Sequence, residues 1–332
     1  MPFPFNVFVL ALLGAAMATA LSVPFWRNWC RRAGVMDDPG QRKLHSAPVP
    51  LAGGLAVMTG LLAPLLAGAL LTLARTGLSR ALLDAGTARI FGHGFDKEAA
   101  QLAAIFAGAL GMLLIGFWDD KVELRPAVKF GGQFLVALMV ASAGVRITLF
   151  VPSVGFHYAI TILWILTVVN AFNFMDNMDG LCAGLGLIGA WYFGIISASQ
   201  GQFLVATACF LIMGALAGFF PYNFPKAGVF LGDAGSHLTG YLMAVLAILP
   251  HFYTMNHPQK WAVLTPLLVL AVPLGDLAWV VLFRWRTGRP FYVGDNNHLS
   301  HRLTRRGCSR AQAVLVIWLL AAALGALAFF WV

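Results

Sequence analysis

The chain has 332 residues, of which 60% are hydrophobic and only 11% charged, with a formal net charge of +9. Soluble domains carry about 25% charged residues. A chain this apolar cannot cover itself with water-compatible surface, which excludes an ordinary soluble enzyme, and the placement of its basic residues excludes nucleic acid as their target.

Crossing the hydrocarbon core takes about 20 apolar residues in a helix. Apolar runs occur at 5–25, 51–74, 99–118, 128–144, 157–173, 181–198, 203–220, 237–254, 261–283 and 312–332. They predict an all-α integral membrane protein of about ten transmembrane helices, forming one polytopic domain over residues 1–332. No basic residue precedes the first run, so it reads as a retained span rather than a cleaved signal. Segment 75–98 has the composition of a surface-lying connection, and residues 145–156 leave room for a short hairpin. Cys30, Cys182, Cys209 and Cys308 form neither a metal-type spacing nor a disulfide framework.

Ten spans put both termini on one side and sort the connections into two sets. The set 26–50, 119–127, 174–180, 221–236 and 284–311, with adjoining helix ends, carries sixteen of the twenty-two Lys and Arg residues. Basic residues accumulate on the cytoplasmic side, so this set is predicted to be cytoplasmic. Nine of the thirteen acidic residues lie there too. The charge rule does not require acids to follow, so their enrichment points to a site.

The first cytoplasmic connection, MDDPGQRKLHSAPVPLAGG, offers Lys43 and His45 to a phosphate or sugar, or as a solvated basic loop. The third span ends in the adjacent carboxylates Asp119 and Asp120, which repel one another unless a cation or proton intervenes. They read either as an interfacial stop balanced by Lys121, Arg125 and Lys129, or as a general base beside a metal ligand. The fifth span ends in NAFNFMDNMDGL, where Asn170, Asn173, Asp176 and Asp179 recur every three residues and neighbours share a helical face. Amides and carboxylates at lipid depth normally face a protein interior or a wet cavity.

GLGLIG at 184–189 imitates a dinucleotide fingerprint but lies within an apolar helix, so a small-residue packing face is expected. In FLGDAGS, Gly232 and Gly235 bracket Asp233, the first choice for a divalent-metal ligand. Oxygen donors of this kind suit Mg²⁺, with Mn²⁺ as the alternative. Asp276 within the ninth span is expected to be structural, paired with a residue such as Arg284. The last connection carries His298, His301 and Arg302, suited to phosphate oxygens or proton transfer, with a basic face on lipid headgroups as the plainer reading.

Taken in order, RKLH-x-x-P-x-P-x-x-GG, the DD pair, N-x-x-N-x-x-D-x-x-DGL, FLGDAGS, P-x-x-D and HLSHRL resemble the polyprenyl-phosphate N-acetylhexosamine-1-phosphate transferase family over nearly the whole chain. The first loop and HLSHRL look more like its UDP-GlcNAc branch than like the phospho-MurNAc-pentapeptide transferases of peptidoglycan synthesis. Two positions depart from the family pattern: Asn177 stands where Gly is usual, and Ser300 where a histidine is.

The resemblance implies that polyprenyl phosphate attacks the β-phosphorus of a UDP-sugar, giving polyprenyl-diphosphate-sugar and UMP. It implies a multi-pass protein of the plasma membrane with its site on the cytoplasmic side, with membrane lipid around it and room for a homodimer. By motif match Asp233 and Asp120 hold Mg²⁺, and Asp119 acts as base or orients the lipid phosphate. Asn173, Asp176, Asp179, Asn223 and Phe230 line the uridine side, while His298, His301 and Arg302 contact the diphosphate. The competing class is a transporter or lipid flippase, which would bring polar residues to mid-membrane.

Overall fold

The computed structural model describes residues 3–38, 47–74, 85–252, 259–290 and 297–332, with side chains described outside 71–97. Its helices are α1 Phe5–Ala33, α2 Gly53–Ala74, α3 Ala85–Val122, α4 Pro126–Ser142, α5 Val154–Met175, α6 Leu181–Ser199, α7 Phe203–Asn223, α8 Gly232–Leu246, α9 Thr265–Val269, α10 Ala271–Arg286, α11 Leu299–Arg305 and α12 Arg310–Trp331. Among the described residues the only strands are β1 Met36–Asp37 and β2 Val49–Pro50, paired antiparallel. The integral-membrane, all-α architecture is therefore present.

Among the described residues seven helices are long and apolar enough to cross a membrane, and an eighth crossing forms if the pair Lys260–Val269 and Ala271–Arg286 counts as one span bent by 72°. Two more of the ten expected spans are short helices, α4 with 17 residues and α8 with 15. The ninth span breaks because Pro273 has no N–H to give the turn before it, so the helix restarts at Ala271. Residues 145–156 form no hairpin. They run irregularly, with tight turns that join Val151 N to Leu149 O and Ser153 N to Val151 O, until the Ser153 side chain caps the start of α5 by accepting from the Phe156 N–H.

Large apolar side chains such as Leu21, Phe330 and Trp285 are more than three-quarters exposed, as befits a surface that meets lipid. Without water to expel, helices in lipid associate through close packing, for which small residues are needed. On α7, Gly214 and Gly218 face the backbone of α1, where an added methyl would lie 2.1 Å from the Leu12 carbonyl oxygen and 2.2 Å from that of Ala16. The 184–189 glycines behave as expected for a packing face: Gly184 abuts Trp318, Gly186 abuts Leu216 and Thr239, and Gly189 abuts Met243.

Helix α8 stands at the centre, with every residue except Asp233 buried. Its first turn carries Asp233. There α3 comes close: a methyl on Gly116 would sit 2.2 Å from the Asp233 carbonyl oxygen and 2.5 Å from the Ala234 nitrogen. Overpacking of this kind costs about 1–3 kcal/mol. Gly116→Ala is therefore expected to lower the thermal midpoint in detergent by several degrees, and an unchanged midpoint would mean that the α3–α8 contact is slack.

The strand pair gathers the two ends of the first connection. Pro50 O accepts from Phe230 N at 3.0 Å, and Gly53 N and Gly54 N donate to Phe230 O and Leu231 O at 3.0 and 3.1 Å. The segment leading into α8 is thus laced to the start of α2.

Candidate active site

Helix α3 carries Asp119 and Asp120 in its last turn, and the chain turns at once into α4. The turn is held by Asp119, whose Oδ1 accepts from the Leu124 backbone N–H at 2.8 Å. One turn into α4, Lys129 reaches back. Its Nζ lies 2.5 Å from Asp119 Oδ2, 3.4 Å from Asp233 Oδ2 and 3.4 Å from Asn173 Oδ1. Four elements (the end of α3, the start of α4, the end of α5 and the start of α8) meet at this ammonium group. Asn173 Nδ2 donates in turn to Asp233 Oδ1 and, at 3.0 Å, to Ser236 Oγ. Helix α8 enters with Gly232 at φ +73°, and a methyl there would stand 2.7 Å from Asp120 Oδ2. Only glycine combines that backbone with that proximity.

Asp120 points elsewhere than Asp119. Its Oδ1 accepts from Asp233 N at 2.7 Å and its Oδ2 from Ala234 N at 3.0 Å. The first amides of a helix have no partners of their own and carry partial positive charge, so Asp120 is the cap of α8. Its expected place beside Asp233 as a metal ligand is thus joined by a second task, since each of its oxygens accepts one backbone N–H. Among the described residues no group of three His, Cys, Asp or Glu side chains is arranged to hold a metal ion. What the site offers a hard cation is oxygen chemistry, with Asp119, Asp233 and the Asn173 amide converging where Lys129 now supplies the positive charge. Asp233 is one-third exposed and can accept a further partner.

Beneath this layer, Asn170 Nδ2 donates to Gln133 Oε1 at 2.8 Å, and His237 Nδ1 lies 2.6 Å from Asp233 O. Sequence reasoning gave Lys129 no more than a balancing charge and passed over Gln133, Ser236 and His237. A basic or amide residue early in an otherwise apolar helix was the available signal.

Asp176 follows α5 directly. Burial, and after it the carboxylates of Asp233, Asp120 and Asp179, push its carboxyl well above the usual range. Asp179 Oδ2 accepts from Ala227 N at 3.0 Å. Asn223, almost fully buried, accepts from Gly180 N at 2.9 Å and donates to Val229 O at 3.0 Å. These two side chains brace the 176–180 loop against the 224–231 segment, and Asn223 has both ends of its amide engaged in doing so. Phe230 is half-buried and its backbone pairs with the first connection. Lys43 and His45 lie outside the described residues.

The last connection closes the far side. Asp276 is buried in α10, where its Oδ2 meets His298 Nδ1 at 2.7 Å and its Oδ1 accepts from Leu299 N at 2.6 Å. Its expected pairing with Arg284 is replaced by this double contact, which orients His298 and caps α11. Arg284 instead lies over the Phe174 ring, 5.0 Å from its centroid, while His298 meets that ring edge-on at 5.5 Å. With Nδ1 held by a carboxylate, His298 keeps Nε2 for chemistry. The ring centroid of His301 is 6.2 Å from that of His298, and burial, then His298 and Arg305, lower its pKa, favouring neutral imidazole. Arg302 stacks over Trp279 at 4.4 Å. It lines a cleft of about 270 Å³ with Asp276, Leu299, Leu320 and Leu324.

Carboxylates, a lysine, amides and a carboxylate-held histidine thus come from five distant stretches to one end of the helix bundle, where acid and base can act on a phosphate ester at a lipid boundary. Residues 102–251 match glycosyl transferase family 4. Over 94% of its length the chain is 30% identical to a probable undecaprenyl-phosphate N-acetylglucosaminyl 1-phosphate transferase of Bacillus subtilis, covering 81% of that protein. It is 33% identical to the decaprenyl-phosphate N-acetylglucosaminephosphotransferase of Mycobacterium tuberculosis, with 93% and 79% of the two chains covered. It is 26% identical to the undecaprenyl-phosphate alpha-N-acetylglucosaminyl 1-phosphate transferase of Escherichia coli, with 95% and 82% covered.

Proposed function

The chain belongs to glycosyl transferase family 4, and from that premise we propose that it transfers N-acetylglucosamine 1-phosphate to polyprenyl phosphate, with UDP-GlcNAc as donor and UMP as the second product. In the balanced step a lipid phosphate oxygen forms a bond to the β-phosphorus of the donor. The bond from that phosphorus to the bridging oxygen breaks, and UMP leaves with the electron pair. The observation that carries this is the meeting of Asp119, Asp233 and Asn173 around Lys129 at the polar end of the bundle.

Two anions must approach each other in this reaction, so positive charge has to be in place before they arrive. Lys129 is set between carboxylates that keep it protonated, and Arg302 and the histidines stand on the opposite wall. A divalent cation, Mg²⁺ or Mn²⁺, would be held by Asp233 with Asp119, and would supply charge neutralisation on the diphosphate. Asp120 supports this indirectly by fixing the first turn of α8, which carries Asp233. Asp176 and the Asp179–Asn223 brace shape the nucleotide side. The plasma membrane, with the site facing the cytoplasm where nucleotide sugars are made, is the setting that the basic connections favour.

A flippase would need a polar path through mid-membrane, whereas these polar side chains gather at helix ends. The test is to incubate purified protein with undecaprenyl phosphate, Mg²⁺ and a panel of UDP-sugars and to measure UMP. Release with UDP-GlcNAc is expected, and its absence with every sugar would remove the proposal. In the same assay Asp276→Asn, which loses the charge that sets the His298 tautomer, is expected to lower kcat by about ten- to a hundredfold. That range corresponds to hydrogen bonds to charged groups of about 1.5–3 kcal/mol. Unchanged kcat would leave His298 outside the chemistry.

A further inference from the structure

The loop after α5 and the short helix α11 are joined by one side-chain hydrogen bond whose partners lie 123 residues apart: Ser300 Oγ donates to Asn177 Oδ1 at 2.6 Å. The other end of the Asn177 amide is also committed, its Nδ2 donating to Phe174 O at 2.6 Å. Ser300 is completely buried. The contact therefore runs from the last turn of α5, through Asn177, into the interior face of α11.

What flanks this contact gives it meaning. Asn177 sits between Asp176 and Asp179, on the nucleotide wall. Ser300 sits between His298 and the pair His301 and Arg302, on the diphosphate wall. Helix α11 has seven residues, too few to hold its shape or place alone. Asp276 anchors its first residues from α10, and a helix pinned at one end can still swing. The Asn177–Ser300 bond ties it to a second element and fixes the spacing between the two walls. These are also the two positions at which the sequence departs from the pattern it resembles, so in space the two departures form a single contact.

We infer that Asn177 and Ser300 are a coupled pair of positioning residues that sets the register of the diphosphate wall against the nucleotide wall, and thereby the affinity for the nucleotide-sugar donor. The inference rests on the transferase function proposed above. The pair touches neither the Asp119–Lys129–Asp233 cluster nor the Nε2 of His298, so its loss acts on donor binding and spares the rate of the bound complex.

The experiment is a double-mutant cycle of Ser300→Ala, Asn177→Ala and the double variant, with KM for UDP-GlcNAc, KM for undecaprenyl phosphate and kcat measured on purified full-length protein. Each single change is expected to raise the donor KM by about three- to tenfold, the range of one neutral hydrogen bond, with kcat and the lipid KM within about twofold. The double variant is expected to be no worse than the poorer single one, because the second change removes a bond already lost. Ser300→Ala removes one oxygen atom and carries the KM comparison even if Asn177→Ala folds poorly. Single effects that multiply in the double variant, or a fall in kcat at constant donor KM, would overturn the inference while leaving the transferase function standing. No turnover by the unaltered protein would overturn both.

Discussion

Replacing Asp233 with Asn is expected to lower transfer by at least a hundred- to a thousandfold, the scale seen when one preorganised electrostatic group is removed from a reaction centre. The substitution keeps the shape of the side chain. It removes the negative charge that faces Lys129 and turns one of the two acceptor oxygens of a side chain one-third exposed to an incoming partner into a donor, leaving a single oxygen to receive the Asn173 amide. The helix should survive, because its cap comes from Asp120 through the backbone amides of Asp233 and Ala234, not through the Asp233 side chain. UMP release at saturating donor, read beside the thermal midpoint, separates the two effects. Near-normal turnover in a well-folded variant would remove Asp233 from the chemistry and leave it a surface acid. Chelation of divalent cations before the assay gives the complementary reading, and activity that survives it would remove the metal from the proposal.

Lys129→Met carries the second large effect, and there the protein itself should suffer. Its ammonium separates two carboxylates, Asp119 with 9% of its side chain exposed and Asp233 with 33%. Removing one partner of a buried ion pair costs about 3–5 kcal/mol, and the exposure of Asp233 places this case near the lower figure. The unaltered protein should therefore unfold well above the variant in detergent at neutral pH, and the variant should have no measurable transfer. Adding Asp119→Asn to Lys129→Met is expected to recover much of the lost stability, because the unpaired buried charge disappears. Activity should not return, because the positive charge needed between two phosphates is still missing. If the double variant were no more stable than Lys129→Met, the lysine would be holding the helices by packing of its stem rather than by charge.

These expectations divide cleanly between what is local and what is not. The apolar runs and their basic connections were enough to read an all-α membrane protein, because a lipid solvent imposes length and composition on each span separately. The same holds for the gathering of chemistry at one end of the bundle. Asp119, Asn173, Asp179 and Asp233 each lie at the end of an apolar run, so the alternation of spans alone puts them on one side. The break before Ala271 and the lack of a hairpin at 145–156 fall short of that standard. The break follows from Pro273, a signal the sequence carries but the apolar run conceals, and the lack of a hairpin depends on backbone hydrogen bonds that composition does not record.

Who touches whom was decided by helix packing. Asp119 and Asp120 are neighbours of the same type, yet one takes a lysine and the other a helix terminus, because successive side chains on α3 point about 100° apart and only one of those directions meets the start of α8. Gly116, one turn earlier on the Asp120 face, admits that approach. Asp276 turned to His298 rather than Arg284 for a similar reason: a buried carboxylate takes the donors that the fold brings within 3 Å, and those come from a segment 22 residues along the chain. The sequence by itself determined the solvent, the gathering of polar residues at one end of the bundle and the kinds of side chain available there, since each is written in residue type and order. Only the tertiary structure decided which carboxylate caps, which one faces the cation and which hydroxyl reaches Asn177, since those are fixed by distances between helices that no local pattern encodes.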